Sequence, residues 1–274
     1  MNSDINEETA TLELIFSPKN TASHFIQIYK SNIEALRYGI LLAENSSGVP
    51  TDFMKNEEDF IKLQIDNPLS KEELDATLKK ILINKSFEDL IKGINLTLCD
   101  GYHMLLTCKE MLDGKPKSLK DIEELKNNYY KRAQNMPFPK LIEKMEQILG
   151  EKIKYKDEIL TINNVRTCLV HRNGVVLANK DINNKGNNTL ELKYLKMTLT
   201  SGTPNNMEEK NHSFTLNSGE TAKLSFPSMS LEFHPNDDVL LNYKFVFDVG
   251  ITCYLFIEQL VKTEINYLKN NPMK

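Results

Sequence analysis

The chain has 274 residues, a formal net charge of −4 and 40% hydrophobic content, enough for a genuine core in one large domain or one domain with a substantial insertion. That charge excludes the basic face of a protein that wraps duplex nucleic acid, so any nucleic-acid contact is expected to be local and salt-sensitive. Four cysteines (Cys99, Cys108, Cys168, Cys253) form no CxxC pair, which argues against a zinc site or a disulfide framework and for buried, reduced thiols in a cytoplasmic protein.

The acidic, polar start, residues 1–11, does not read as a secretory signal. Residues 21–44 predict a helix, because Phe25, Ile28, Tyr29, Ile33, Leu36, Ile40 and Leu41 recur at three- and four-residue steps. A looser segment surrounds 53–65 and stops before Asn67-Pro68. Ser70 with Glu73 forms a capping-box signature that opens a helix through Leu82. Ser86 then reads as the cap of a separate long helix reaching Leu112, and Asp113-Gly114-Lys115-Pro116 forces a turn. Residues 118–134 and 139–149 give two more helices, and 156–172 another, with Ile159, Ile162, Val165, Cys168 and Leu169 inward. Gly174 is expected to take the left-handed conformation that ends it.

Beyond this point the texture changes. Residues 180–188 are nearly all Asn, Asp, Lys and Gly, an expected exposed loop. Segments 189–200, 213–216, 220–226 and 228–233 are short, β-prone and bounded by turn residues, which predicts a small antiparallel sheet or a pair of hairpins. A last helix is expected over 239–268. Its most apolar part, 243–261, is interrupted by Lys244, Asp248 and Glu258, so no segment reaches the roughly 20 apolar residues of a membrane span. The expected architecture is mainly α, one domain over 1–274, with a β-rich insertion at 180–236.

The most pointed stretch is Arg166-Thr167-Cys168-Leu169-Val170-His171-Arg172-Asn173-Gly174. Against 30 lysines the chain holds 4 arginines, and 2 of them flank His171. Arginine offers a planar, permanently charged fork, and histidine moves protons near neutral pH. No phosphate-cradling Gly-rich loop or DxD cluster accompanies them, which counts against nucleotidyl transfer. His212 and His234 lack carboxylate spacing for a metal, so neither a metal nor a cofactor is expected. His24 and His103 fit polar positions at the margin of the core. Tyr129-Tyr130-Lys131-Arg132 sets stacking groups beside cations, a pattern suited to single-stranded RNA and equally to an ordinary helix surface.

A helical bundle whose penultimate helix carries Arg, four residues, His, then Arg-Asn-Gly resembles the HEPN superfamily. Thr167 fills the polar position after the arginine that is more often Asn, Asp or His. The resemblance implies a HEPN-like bundle and a metal-independent endoribonuclease of a defence or toxin–antitoxin system. It also implies catalytic roles for Arg166 and His171 and substrate contacts from Arg172, Asn173 and Thr167. A catalytically inactive HEPN module that binds RNA or a partner protein is the alternative, and Arg166 paired with Asp157 or Glu158 is the purely structural one. Five helical residues turn through about 500°, which leaves Arg166 and His171 about 140° apart. Two copies of the helix meeting across a two-fold axis would bring both pairs into one cleft, so a homodimer is expected. RNA, a second copy and an antitoxin or defence-system protein are the expected partners.

Overall fold

The chain is described from a computed structural model that covers residues 21–45, 70–114, 118–203, 206–209 and 221–271. Helical periodicity and capping chemistry build α1 (Ser23–Asn45), α2 (Lys71–Leu112), α3 (Leu119–Gln134), α4 (Phe138–Leu149), α5 (Lys156–Arg172) and α6 (Tyr243–Asn270). Five strands lie between α5 and α6: β1 (Leu190–Leu195), β2 (Thr198–Thr203), β3 (Asn206–Glu209), β4 (Thr221–Ser225) and β5 (Ser228–Phe233). The described residues are therefore mainly helical, with an antiparallel insertion before the last helix. The looser 53–65 segment, the 213–216 strand and His212 lie outside the described residues.

Capping boxes start two helices. Ser70 accepts from Glu73 N at 3.2 Å while Glu73 returns a bond to Ser70 N, and Ser118 with Asp121 repeats the device. Ser86, expected to open a separate helix, does not do so. It lies inside the 42-residue α2, where its hydroxyl donates to Leu82 O at 2.8 Å. Bonding back to the carbonyl four residues earlier satisfies a serine without breaking the helix. Nor does the last helix begin at Val239. Asn242 caps it by accepting from Phe245 N at 3.0 Å, and Val239 is instead buried in the approach to it.

The core sits where α2 is crossed by the other helices. Phe25 of α1, Phe87 and Leu98 of α2, Met145 of α4, Ile159 of α5 and Phe256 of α6 are all fully buried. All four cysteines are buried and free, which matches the expectation.

The insertion holds two antiparallel sheets, β1 with β5 and β2 between β3 and β4, and the first sheet and the β2–β4 pair run on as one ribbon. β1 pairs with β5 and β2 with β4, and every pair from Leu190↔Phe233 to Gly202↔Thr221 keeps one register. Pro227 sits where the ribbon is interrupted, and its carbonyl accepts from Lys196 N at 3.0 Å. Proline cannot donate to a ladder, so a break there is expected. The inner end is fastened to the helices: Lys193 N donates to Thr161 Oγ1 of α5 at 2.9 Å, and Leu195 N to Thr252 Oγ1 of α6 at 2.8 Å. At the base of the insertion the chain closes on itself, with Val239 N donating to Gly174 O and Val176 N to Asp237 O.

Candidate functional site

The candidate residues occupy the last two turns of α5 and the turn after it. The start of that helix is fixed by α4. Glu146 accepts from Ile153 N at 3.0 Å through one oxygen and pairs with Lys156 at 2.6 Å through the other. Asp157 and Glu158 lie in the first turn and His171 and Arg172 in the last, each favourable to the helix dipole. The end is a double left-handed turn, with φ of 52° at Asn173 and 87° at Gly174. Gly174 does take the expected conformation, and Asn173, a tolerated left-handed residue, shares it.

The two arginines beside His171 have different surroundings. Arg172 Nη1 lies 2.8 Å from Asp181 Oδ1, with side chains 18% and 2% exposed. The other oxygen of Asp181 accepts from Leu177 N at 2.8 Å. Arg172 thus ties the end of α5 to the chain leaving it. Arg166 is half-buried, and its Nε is buried without a hydrogen-bond acceptor. Among the described residues no carboxylate pairs with it. Glu158 instead accepts from Ser228 Oγ at 3.5 Å. A desolvated guanidinium N–H without an acceptor is costly, and an incoming anion would supply one.

His171 is exposed on the opposite side of the helix, about 140° round from Arg166 and about 7.5 Å further along. Regular helical geometry continues through Arg172, so one chain does not bring this pair onto a common face. Thr167 donates to Asn163 O at 2.9 Å, which occupies its hydroxyl proton and leaves the oxygen lone pairs. Asn173 is exposed.

Comparison with protein-family models, curated proteins and solved structures returns no match. The side chains and their surroundings therefore carry the functional argument.

Two features escaped the sequence reading. Residues 180–188 are not simply an exposed loop. Asp181 is buried, and Asn183 exchanges bonds with the backbone of Glu191 at 2.8 and 2.6 Å. A signal existed, since Val165, Cys168 and Arg172 follow the inward steps of α5 and so demand a counter-ion for the arginine. The second feature is Glu264, fully buried in α6. It accepts from Thr21 Oγ1 at 3.3 Å while Oε1 finds no partner. Burial, opposed by the Thr21 hydrogen bond and aided by the nearby Asp100 charge, pushes its pKa up to about 8. A β-carbon on residue 101 would collide with this carboxyl, so Gly101 makes the room for it. Asp100, raised by burial, lies 3.4 Å from His24.

The cysteine within the motif is no nucleophile. Burial pushes the Cys168 thiol up to about 11, aided by Asp181 and opposed by Arg172, and its Sγ lies 3.4 Å from Val175 O. Among the described residues there is no cluster of metal-ligating side chains, and no helix is long and apolar enough to cross a membrane.

Proposed function

We propose that this chain is a metal-independent endoribonuclease of the HEPN type, acting in the cytoplasm as a homodimer in a bacterial defence or toxin–antitoxin system. One observation carries the reading: of the two arginines flanking His171, Arg172 is neutralised by Asp181 while Arg166 has no counter-ion. An unneutralised guanidinium and an exposed histidine suit a phosphodiester where a second copy of α5 brings them to one cleft. His171 accepts the proton of the substrate's 2′-hydroxyl, whose oxygen attacks phosphorus. The bond to the 5′-oxygen breaks, and a histidine returns a proton to that leaving group. The products are a 2′,3′-cyclic phosphate and a 5′-hydroxyl. Arg166 holds the phosphate and stabilises the charge gained in the transition state. A second copy of α5 across a two-fold axis supplies the second histidine and arginine.

The test is cleavage of a fluorescent RNA in EDTA, with light scattering to count protomers. His171→Ala and Arg166→Ala should each lose on the order of 10²–10⁴ in rate. Arg166→Lys should be badly impaired, because an ammonium cannot grip a phosphate with two parallel bonds. Full activity in His171→Ala, or complete dependence on a divalent ion, would refute the mechanism and leave an RNA- or protein-binding scaffold. An active monomer would remove the dimer.

A further inference from the structure

Away from α5, the helices α2, α3 and α4 enclose two adjoining clefts. The first, of about 400 Å³, is floored by Tyr102, Leu106 and Ile148 and edged by Tyr129, Lys109 and one carboxylate, Glu110. The second, of about 530 Å³, is formed by Asn135, Met136, Pro137 and Lys140. Arg132 and Lys144 line both, so these two cations sit where the clefts adjoin.

Charge and shape select the occupant. Among the described residues, none of Lys109, Arg132, Lys140 and Lys144 pairs with a carboxylate; Lys144 bonds only the neutral Gln147 at 2.8 Å. Four cations without an ion-pair partner outnumber the one carboxylate of the cleft, Glu110, which accepts from the Tyr129 hydroxyl. In a chain of net charge −4 this excess calls for an anion, and two sites flanking shared cations call for a repeating one. Each cleft is of the size that takes one nucleoside. Tyr129 offers a ring whose position is fixed, because its hydroxyl donates to Glu110 at 3.0 Å. Tyr130, its neighbour in sequence, is committed to an edge contact with His103 at 5.5 Å. Bases locked in a duplex cannot enter such clefts, whereas unstacked bases can lie on an aromatic face while cations follow the backbone.

We infer that the α2–α3–α4 surface is a binding site for single-stranded nucleic acid, with a phosphodiester held by Arg132 and Lys144 and a nucleoside in the cleft on each side. The site includes no residue of α5, so it stands whether or not the chain cleaves RNA.

Fluorescence anisotropy of a labelled dodecamer oligoribonucleotide tests it, using the full chain and, to prevent cleavage, the His171→Ala protein. The single strand should bind at low salt, and the blunt duplex of the same sequence should bind at least about tenfold more weakly. Arg132→Glu combined with Lys144→Glu should weaken single-strand binding at least about tenfold and flatten the slope of log affinity against log salt by about 0.7, the share of the one phosphate that both cations hold. The melting temperature should fall by only a few degrees, since neither side chain has an ion pair to lose and Arg132→Glu merely sets an acid in the last turn of α3. Lys120→Glu with Lys185→Glu, the same charge change elsewhere, should leave affinity within about twofold of the parent. Unchanged affinity in the Arg132 and Lys144 double variant, equal or tighter duplex binding, or displacement of the strand by an equal concentration of AMP would each overturn the inference. So would the absence of binding by the parent protein. Loss of cleavage in His171→Ala with binding intact separates this site from the proposed catalytic one.

Discussion

At Arg172 the guanidinium meets a carboxylate whose side chain is 2% exposed, and that encounter neutralises its charge. In the sequence it stands with Thr167 and Asn173 as an expected substrate contact. In the fold it is the second member of an ion pair that also anchors Leu177 N. Removing one partner leaves the other charged and desolvated, which costs about 3–5 kcal/mol for a fully buried pair. Because Arg172 keeps some contact with solvent, Asp181→Ala should cost nearer 3 kcal/mol in urea denaturation. Asp181→Asn should cost about half as much, since it keeps an acceptor for Leu177 N. A loss below about 0.5 kcal/mol in the alanine variant would mean that the pair is a surface contact only. The residue types at this site were legible in the sequence, and so was the inward register of Arg172. Its partner was not, because one aspartate in a polar run carries no mark of burial.

Among the elements, α5 was the most legible, its span of Lys156–Arg172 matching the sequence pattern at both ends. Local signals fixed it: alternating inward apolar residues, acids at the start, and Asn173-Gly174 at the stop. Boundaries failed where a residue had two ways to satisfy itself. Ser86 bonds backward inside α2 instead of capping, and Val239 buries itself before Asn242 can cap α6. Strand β1 shows how an element is placed by contacts far away in sequence. Thr252 of α6 is fully buried and both donates to Asp248 O and accepts from Leu195 N. Thr252→Val keeps the shape but strands the Leu195 N–H, so the expected loss is about 1–3 kcal/mol. A chemical-denaturation midpoint that does not move would show that Leu195 finds another acceptor.

For the whole molecule, helical content and the place of the insertion followed from periodicity. The single register of the ribbon did not, because strand pairing depends on where turns close. Least legible was the contact that joins α1, α2 and α6. Glu264 continues the inward steps of Phe256 and Leu260, so its burial could be read from spacing, but its niche against Gly101 and its bond from Thr21 could not. The consequence is a stability that depends on pH. An unfolded glutamate ionises near 4.5, while in the folded chain burial holds the group protonated to about 8. Between those values the folded state binds the extra proton, so stability falls as pH rises through the window and levels off above it. The full difference is of order 4–5 kcal/mol. Other groups titrate nearby: burial raises Asp100 and lowers His103. Asp100 faces His24 and is within reach of His103 and Lys126. The comparison that isolates Glu264 is therefore the parent against Glu264→Gln, melted at intervals from pH 5 to pH 9. The glutamine variant should gain on the parent steadily up to about pH 8 and keep a constant lead beyond it. Two curves that run parallel from pH 5 upward would show that Glu264 is ionised in the fold, and that water reaches the carboxyl between α1 and α6.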